Sequence, residues 1–386
     1  IYFIFFLTIH SFSQQTEIYT NDLVDFNSAY ELYSNQQYLA AQTLFLEVIK
    51  NADNTFLDPD KNLDQQGHVD GYNHLFHLLR TCIDFYLFND PLRPSFMLLS
   101  TENHKILGDN VDAVYYFTQL RADQEYIIKG KRFDSCYLAF ATYGGEADGS
   151  IVERQANNIN HTLIDFEADG SFEIKLTQNP KLKNEFKLHE DVVNLFTREY
   201  FFDRFNSQES ELSIVNVTPQ SESKPLNDEQ LANRIQVMTT FFEQSTWIAP
   251  LPVDFPINNF LPPFNFEADQ GSFGTVDNIY CFGKFKLKDN EYLKITFSSP
   301  KCCYWGIQTW NYLMQSMDFK NYKVGINKES AITNEDGTYT LYLSHKQMDV
   351  DNWISTAAYK EGIIFCRWLL AEELPEQPSC EVLKFS

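Results

Sequence analysis

Short runs of alternating apolar and polar residues recur after Gly108, and this pattern constrains the fold more than any other feature. Residues 171–176 and 292–298 are clear examples, and Asp169-Gly170 and Asp336-Gly337 are typical hairpin turns. The 34 Phe and 21 Tyr also favour strands. Short strands at this spacing predict antiparallel β-sandwiches.

The order of patterns along the chain predicts several regions. Apolar residues at helical spacing predict a helical region over 20–108, including a short helix from Pro94 to Ile106, and a connecting helix over 225–248. Five prolines make 250–265 the best domain boundary. We therefore expect a mainly β protein with an N-terminal helical bundle and two β-sandwich or jelly-roll-like units, 109–220 and 266–386. No internal repeat aligns residue by residue.

The balance of charge limits the partners that this chain can have. The 386 residues include 53 acidic and 30 basic residues, a formal charge of -23, which repels phosphate backbones and argues against nucleic-acid binding. Residues 1–13 read as a signal peptide, because an apolar run precedes Ser11 and Ser13 at the -3 and -1 positions. We therefore expect export to the periplasm or the cell exterior. No further stretch predicts an integral membrane span, and the oligomeric state is open.

Cysteine and histidine spacing gives little support for a metal site. The seven cysteines contain no CxxC pair, which argues against a thiolate zinc site, while export is compatible with one or two disulfides. Asp70, His74 and His77 share one helix face and could hold a metal ion, but their apolar neighbours favour a position at the edge of the core. We expect no cofactor.

Aromatic rings and uncharged polar side chains are dense between residues 300 and 327. Amides fix the orientation of a polar ligand and rings supply contact area, so this stretch predicts a ligand-binding site. Its candidate residues are Trp305, Gln308, Asn311, Asp318 and Asn327. In the alternative interpretation, Trp305 belongs to the core, the amides bond to loop backbone, and Asp318 and Asn327 form turns.

Candidate catalytic groups lie in and after this stretch. Tyr304 or His345 is the predicted base, and Arg367 is predicted to neutralise a substrate carboxylate. Tyr116 and Arg121 are further candidates for contacts with an anionic ligand. A surface position for His345 is the competing interpretation. The chain has no GxSxG, P-loop or HExxH motif, so hydrolase and zincin activities lack support.

Several blocks of sequence resemble the bacterial family known as domain of unknown function 1214. In the second unit they are Cys302-Cys303-Tyr304-Trp305, Asp336-Gly337-Thr338, Asn352-Trp353-Ile354 and Arg367-Trp368. The first unit is similar in Asp169-Gly170-Ser171-Phe172 and Arg198-Glu199-Tyr200, and the N-terminal region in Gly71-Tyr72 and Leu78-Leu79-Arg80. The resemblance implies a sandwich or jelly-roll-like architecture without a settled chemistry. Asn184-Glu185-Phe186 departs from the usual Asn-Trp-Leu of the family.

These observations support three hypotheses about function. The first is an exported carbohydrate-active protein, a dehydratase or lyase that acts by elimination on acidic, uronic-acid oligosaccharides. Such a reaction needs a base and donors that stabilise an enolate-like charge. The second is a non-catalytic carbohydrate- or envelope-binding protein that uses the same cleft. The third is a structural protein-interaction module.

Overall fold

The protein is mainly β, as predicted. A computed structural model describes residues 37–56, 64–106, 108–219, 225–248 and 255–385. The predicted signal peptide and the first part of the predicted helical region lie outside these residues. Three α-helices are described: α1 Gln37–Phe56, α2 Gln65–Cys82 and α3 Asp228–Ile248, with a π-helical turn Ile83–Leu87 after α2. Asp64 caps α2, because its side chain accepts a hydrogen bond from the Gly67 amide at 2.7 Å.

Two packed sheets form the first β-unit. Its strands are β1 Met97–Leu98, β2 Ala113–Gln119, β3 Tyr126–Lys131, β4 Tyr137–Gly144, β5 Arg154–Asn160, β6 Ser171–Thr177, β7 Glu185–Lys187, β8 Val192–Tyr200 and β9 Glu211–Asn216. Sheet I has the order β1-β2-β8-β4-β5, and sheet II has the order β7-β6-β3-β9. Alternate side chains of both sheets meet in a shared core, which includes Phe140, Leu195, Ile128 and Ile174.

The second β-unit is also a sandwich of two sheets. Its strands are β10 Asn259–Phe260, β11 Phe264–Asn265, β12 Asn278–Lys286, β13 Glu291–Phe297, β14 Tyr304–Trp310, β15 Gly325–Asn327, β16 Tyr339–Ser344, β17 Trp353–Ser355, β18 Glu361–Leu369 and β19 Ser379–Lys384. Sheet III has the order β10-β12-β18-β14-β15, with β11 beside β12, and sheet IV has the order β17-β16-β13-β19. Trp305, Trp368, Ile295 and Leu343 belong to the core between them.

The two units share one topology. Sheet I and sheet III have corresponding strand orders, and so do sheets II and IV, with β2–β9 each matched by the strand ten positions later, β12–β19. Even the parallel pairs correspond, β6 with β7 and β16 with β17. The turns before β6 and β16 also match, since Asp169 accepts from the Ser171 amide and Asp336 from the Thr338 amide, both at 3.0 Å. The chain therefore contains a structural duplication that its sequence does not reveal.

The outer faces of sheets I and III meet each other and the helices. Phe117 and Phe196 of sheet I pack against Phe85 and Phe241 of the helical layer, in one core cluster that also contains Tyr304 of sheet III. Sheet I therefore has both faces covered, and β8 is buried along most of its length. Strands that are buried on both faces carry continuous rather than alternating apolar runs.

A hydrogen-bonded triad joins the two units near the start of β14. The hydroxyl of Tyr304 donates to the Asp112 carboxylate at 2.7 Å, and the Asn327 side-chain amide donates to the same oxygen at 2.9 Å. Tyr304 and Asn327 belong to the second unit, whereas Asp112 precedes β2 of the first. The buried tyrosine is therefore satisfied across the junction between the units.

A second triad has the same composition, with the roles of the two units exchanged. The hydroxyl of Tyr137 donates to the Asp277 carboxylate at 2.8 Å, and the Asn160 amide donates to the same oxygen at 2.7 Å. Here the tyrosine and the asparagine belong to the first unit, and Asp277 precedes β12 of the second. Reciprocal contacts of this kind define an isologous interface, so the two units are related by an approximate two-fold axis.

Two local expectations from the sequence differ from the structure. The helix expected from Pro94 to Ile106 is wrong, because Met97 and Leu98 instead pair with Phe117 and Tyr116 in sheet I. The Pro-rich segment contributes the two short strands β10 and β11 at the edge of sheet III. Among the described residues, no helix combines the length and apolar character needed to cross a membrane.

Substitution of Asp112 will measure how much the junction contributes to stability. Asp112→Ala leaves the donors of Tyr304 and Asn327 without this acceptor, so we expect the free energy of unfolding to fall by about 2 kcal/mol. Asp112→Asn keeps a carbonyl oxygen as an acceptor, so we expect it to lower the free energy of unfolding clearly less than Asp112→Ala does. Chemical unfolding of both variants measures these losses of free energy. Equal losses in the two variants would show that the negative charge of Asp112, rather than its acceptor oxygen, stabilises the junction.

Candidate functional site

Strands β8 and β18 are interior strands of sheets I and III, and each carries an arginine on its outer face. Side chains alternate along a strand, so Phe196 and Arg198 share the face opposite Leu195, a residue of the first sandwich core. Phe365 and Arg367 likewise share one face of β18. Arg198 is 5% exposed and Arg367 is 4% exposed, although arginine is rarely buried without a partner.

The two arginines occupy equivalent positions in the duplicated units. Arg198 pairs with Tyr115 of β2, and Arg367 pairs with Tyr280 of β12. On the other side, each arginine lies opposite a small residue of β4 or β14, Ala139 or Gly306. The approximate two-fold axis therefore places both guanidinium groups at the interface between the units.

A cavity of about 390 Å³ lies between these strands. Its walls come from both units and include, besides the two arginines, Tyr115, Tyr200, Tyr280 and Trp310. The segment 264–274 forms another side, where Gln270 and Gly271 are exposed to solvent. Aromatic rings around a few polar groups are typical of sites for small organic ligands.

Neutral groups hold the guanidinium of Arg367 in place. One of its terminal nitrogens donates to the hydroxyls of Tyr200 at 3.2 Å and Tyr115 at 3.3 Å, and the other lies 3.5 Å from the Gly108 carbonyl oxygen. The group also lies 4.4 Å from the centroid of the Phe365 ring, which is a cation–π distance. Three of these four partners come from the first unit.

Arg198 shares only the carbonyl contact with Arg367, and one of its nitrogens has no hydrogen-bond partner among the described residues. Its Nη2 donates to the Tyr143 hydroxyl at 2.7 Å and to the carbonyl oxygen of Phe273, which is the second-unit counterpart of Gly108. Its Nη1 is buried and has no hydrogen-bond partner among the described residues. A buried donor without a partner costs free energy, and Arg198 is one of the residues that line the cavity.

Neither guanidinium forms an ion pair with a described carboxylate. The cavity also contains Asp109, but its carboxylate accepts hydrogen bonds from the amide and hydroxyl of Ser316. Burying a charge without a counterion costs several kcal/mol, and two cations in one cavity also repel each other. This arrangement therefore reduces the stability of the protein and leaves the cavity with uncompensated positive charge.

Tyr200 is the cavity tyrosine whose ionised form is favoured. Burial by itself raises the pKa of Tyr200, but the charge of Arg367 and hydrogen bonds from Tyr115 and Asn278 lower it below the ordinary tyrosine value. Burial raises the pKa of Tyr115 well above that value, and raises the pKa of Tyr143 to about 12. A negative charge on the tyrosine cluster therefore falls preferentially on Tyr200.

Arg367 is the predicted site residue that lines this cavity. Tyr304 lies behind Tyr200, with the ring centroids 5.2 Å apart, and is absent from the cavity wall. Burial and the neighbouring Asp112 raise the pKa of Tyr304 well above its ordinary value. Because the Tyr304 hydroxyl already donates to that carboxylate, it is a poor candidate for a base.

His345 directly follows β16 of sheet IV and contacts the residue that follows β12 of sheet III. Its Nε2 donates to the Leu287 carbonyl oxygen at 3.0 Å, so its Nδ1 accepts from the Thr356 hydroxyl at 2.7 Å. Leu287 is seven residues after Tyr280, the partner of Arg367 in the sheet, which corresponds to roughly 20 Å along the strand. The structure therefore does not bring His345 and Arg367 into one pocket.

The polar residues of the 300–327 stretch bond mainly to the protein itself. Gln308 donates to the Asp109 carbonyl oxygen at 2.6 Å and accepts from the Val111 amide at 3.1 Å. Asn311 accepts from the backbone of its own turn at Leu313 and Gln315. These amides satisfy loop backbone, as the alternative interpretation of the sequence describes.

The remaining candidates also have structural partners outside the cavity. Trp305 is buried in the second core, with its ring against Phe297 and Tyr339. Asp318 accepts from the backbone amides of its own turn, and Asn327 belongs to the junction triad. Tyr116 lies 3.4 Å from Glu209, and Arg121 forms an exposed ion pair with Asp123.

The histidines of α2 do not assemble a metal site in the described residues. The Asp70 carboxylate accepts hydrogen bonds from Gln66 and Tyr359, and His77 contacts Asn73. No group of three or more His, Cys, Asp or Glu side chains in the described ranges is arranged to hold a metal ion.

Comparison with known proteins identifies part of the chain. Residues 284–373 match the model of a family described as "Protein of unknown function (DUF1214)". These residues are a DUF1214 segment. The resemblance expected from the sequence is thus confirmed for this part of the chain. The DUF1214 segment contains Trp310, Phe365 and Arg367 of the cavity wall, whereas Arg198 and Tyr200 come from the first unit.

A solved structure extends the likeness beyond the DUF1214 segment. An uncharacterized protein from Burkholderia cenocepacia is 27% identical, with a TM-score of 0.83, and the match covers 92% of this chain and 99% of that one. The VPA0106 protein from Vibrio parahaemolyticus is 12% identical, with a TM-score of 0.47, over 87% of this chain and 100% of that one. No curated protein sequence matches the chain.

Sequence reasoning missed the first-unit half of the site, Arg198 and Tyr200. The sequence does contain a local indication of this site, because Arg198 stands between Phe196 and Tyr200 at alternate positions of a predicted strand. An arginine on the apolar face of an interior strand is uncommon and indicates a buried charge. The pairing of Arg198 with Arg367 depends on the contact between the units, which no local pattern contains.

The titration of Tyr200 is the direct check on this electrostatic description. We expect one tyrosine of the folded protein to ionise below the ordinary value, measured by near-ultraviolet absorbance against pH. Its contribution to stability is present above pH of about 10, the unfolded value, and is lost as the pH falls through the folded pKa. Tyr200→Phe should remove this early step and Tyr304→Phe should leave it. An unchanged titration in Tyr200→Phe would contradict the assignment.

Proposed function

We propose that the protein binds a small organic acid in the cavity between its two β-units. The observation that carries this proposal is the buried Nη1 of Arg198, which lacks a partner beside a second buried guanidinium that also lacks a carboxylate. A carboxylate accepts hydrogen bonds from arginine with favourable geometry and neutralises its charge. The acidic group of the ligand therefore lies between Arg198 and Arg367.

The body of the ligand contacts aromatic rings. Phe196, Phe282, Trp310 and Phe365 line the cavity, and flat rings favour stacking with a sugar ring or an aromatic ring. An acidic sugar of the uronic-acid class satisfies both requirements, since it has one carboxylate and one ring face of C–H groups. The two arginines and these aromatic rings are sufficient for binding, and no catalytic group is required. The predicted export of the protein to the periplasm or the cell exterior is compatible with such a ligand.

Matched pairs of acids and neutral analogues test the proposal. We expect glucuronate, galacturonate or benzoate to raise the melting temperature and to release or absorb heat in calorimetry, and glucose, galactose or benzamide to do neither. Arg198→Met should weaken the binding of the acid by about 10- to 100-fold, because a charge-assisted hydrogen bond is lost. Arg121→Met is the control, since Arg121 is exposed and paired with Asp123.

Two outcomes would count against this proposal. Equal binding of an acid and its neutral analogue would show that the guanidinium groups do not select the ligand. Unchanged affinity in both Arg198→Met and Arg367→Met would place the acid outside the cavity. Circular dichroism and melting of the variants without ligand separate a loss of binding from a loss of fold.

The lowered pKa of Tyr200 favours a second candidate function, elimination on a uronic-acid sugar. An ionised Tyr200 takes the proton from the carbon next to the carboxylate, while the arginines stabilise the enolate-like charge. The bond from the neighbouring carbon to the leaving oxygen then breaks, and the new hydroxyl of Tyr200 can return the proton to that oxygen. The base in this scheme is Tyr200 rather than Tyr304 or His345.

An assay for unsaturated products separates catalysis from binding. The protein is incubated with acidic oligosaccharides, and ultraviolet absorbance of the new carbon–carbon double bond is followed. If the protein eliminates, Tyr200→Phe should abolish the increase and His345→Ala should preserve it. An increase that depends on His345 would contradict this mechanism, and acid binding without any increase would leave the protein as a binding protein.

A further inference from the structure

Two cysteines face each other at the approximate two-fold axis. Cys136 directly precedes β4 and Cys303 directly precedes β14, so they occupy equivalent positions of the two units. A residue that lies near a two-fold axis contacts its own counterpart. The thiol of Cys303 accordingly lies 3.2 Å from the Cys136 carbonyl oxygen, across the junction.

The two thiol groups also interact with each other. Their mutual hydrogen bond is the largest cause of a lowered pKa of Cys303, about 7, and of a raised pKa of Cys136. The positive charges of Lys328 and Arg132 further lower the pKa of Cys303. Cys303 is therefore favoured as the attacking thiolate, and Cys136 as the thiol that resolves the mixed disulfide. Both side chains are only partly buried, so a small oxidant can reach them.

We propose that Cys136 and Cys303 form a disulfide that joins the two β-units. The backbones at these positions are held by the sheets, because the Cys136 amide donates to the Tyr200 carbonyl oxygen and the Cys303 amide to that of Leu369, both at 2.9 Å. The thiols thus start in contact across the junction.

Oxidation follows thiol–disulfide exchange with a low-molecular-mass disulfide such as oxidised glutathione. The Cys303 thiolate attacks one sulfur of the oxidant, a new sulfur–sulfur bond forms, and one glutathione thiolate leaves. The deprotonated Cys136 then attacks the Cys303 sulfur, which releases the second glutathione thiolate. The protein loses two protons and two electrons, and the oxidant is reduced by the same two electrons.

The cross-link joins both walls of the cavity described above. Cys136 is bound through its backbone to Tyr200, whose side chain contacts Arg367. The bond closes a chain segment of 167 residues, so it removes much conformational freedom from the unfolded protein. The disulfide therefore holds the two halves of the cavity together whether or not the cavity binds an acid.

Intact mass and peptide mapping test this inference. Reduced full-length protein is equilibrated with oxidised glutathione, and free thiols are then alkylated. We expect the protein to lose about 2 Da and to yield one cross-linked peptide pair containing Cys136 and Cys303. Its melting temperature should rise by roughly several degrees, and a reductant should reverse the change.

Serine variants identify the pair. Cys136→Ser and Cys303→Ser should each abolish the cross-link and the rise in melting temperature. Cys302→Ser is the matched control, because it removes the adjacent buried thiol and should leave both effects. A Cys302–Cys303 linkage, a stable glutathione adduct on Cys303, or seven thiols that stay reduced would each overturn the inference. Acid binding is measured separately on the reduced protein, so the two proposals can fail independently.

Discussion

The face-to-face packing of two equivalent sheets governs the chemistry of this molecule. Each unit places one arginine on an interior strand, and the approximate two-fold axis brings Arg198 and Arg367 to one cavity. Reciprocal hydrogen bonds from Tyr137 to Asp277 and from Tyr304 to Asp112 fix this arrangement. Because these carboxylates are occupied by tyrosines and asparagines, they do not neutralise the arginines. The charge of the cavity thus follows from how the junction is built.

The sequence predicted the class of fold because the decisive signals are local. Alternation along 171–176 marks a strand, and Asp-Gly marks the tight turns directly before β6 and β16 with left-handed glycines, φ 85° at Gly170 and 84° at Gly337. These turns do not join paired strands, because β5 and β6, like β15 and β16, belong to different sheets. A proline suggested a helix at 94–106, where pairing with β2 instead forms a strand. In that case a tertiary contact overrode the local preference, which is the usual reason for such a difference.

The site was only partly predictable, since its two halves are distant in sequence. Arg367 was predicted as a group that neutralises a carboxylate, and the structure places it in the cavity wall, whereas the amides of Gln308 and Asn311 bond to the protein itself. Gln308 satisfies the backbone of the segment before β2, which approaches only after the two units have docked. A polar residue in an aromatic stretch can bind a ligand or a loop with the same side chain. Sequence pattern does not distinguish these roles.

The two halves of the cavity present different groups to the proposed acid ligand. Tyr200 of β8 corresponds to Leu369 of β18, so at this position the first unit has an ionisable hydroxyl and the second has an aliphatic side chain. Tyr143 corresponds to Trp310, and the tyrosine bonds to Arg198 whereas the tryptophan ring lies 5.8 Å from the guanidinium of Arg367. Arg367 thus donates its hydrogen bonds to tyrosine hydroxyls, whereas the Nη1 of Arg198 has no partner among the described residues. In the proposed complex, the first unit supplies the donor without a partner, Arg198, and the second unit supplies the largest ring, that of Trp310.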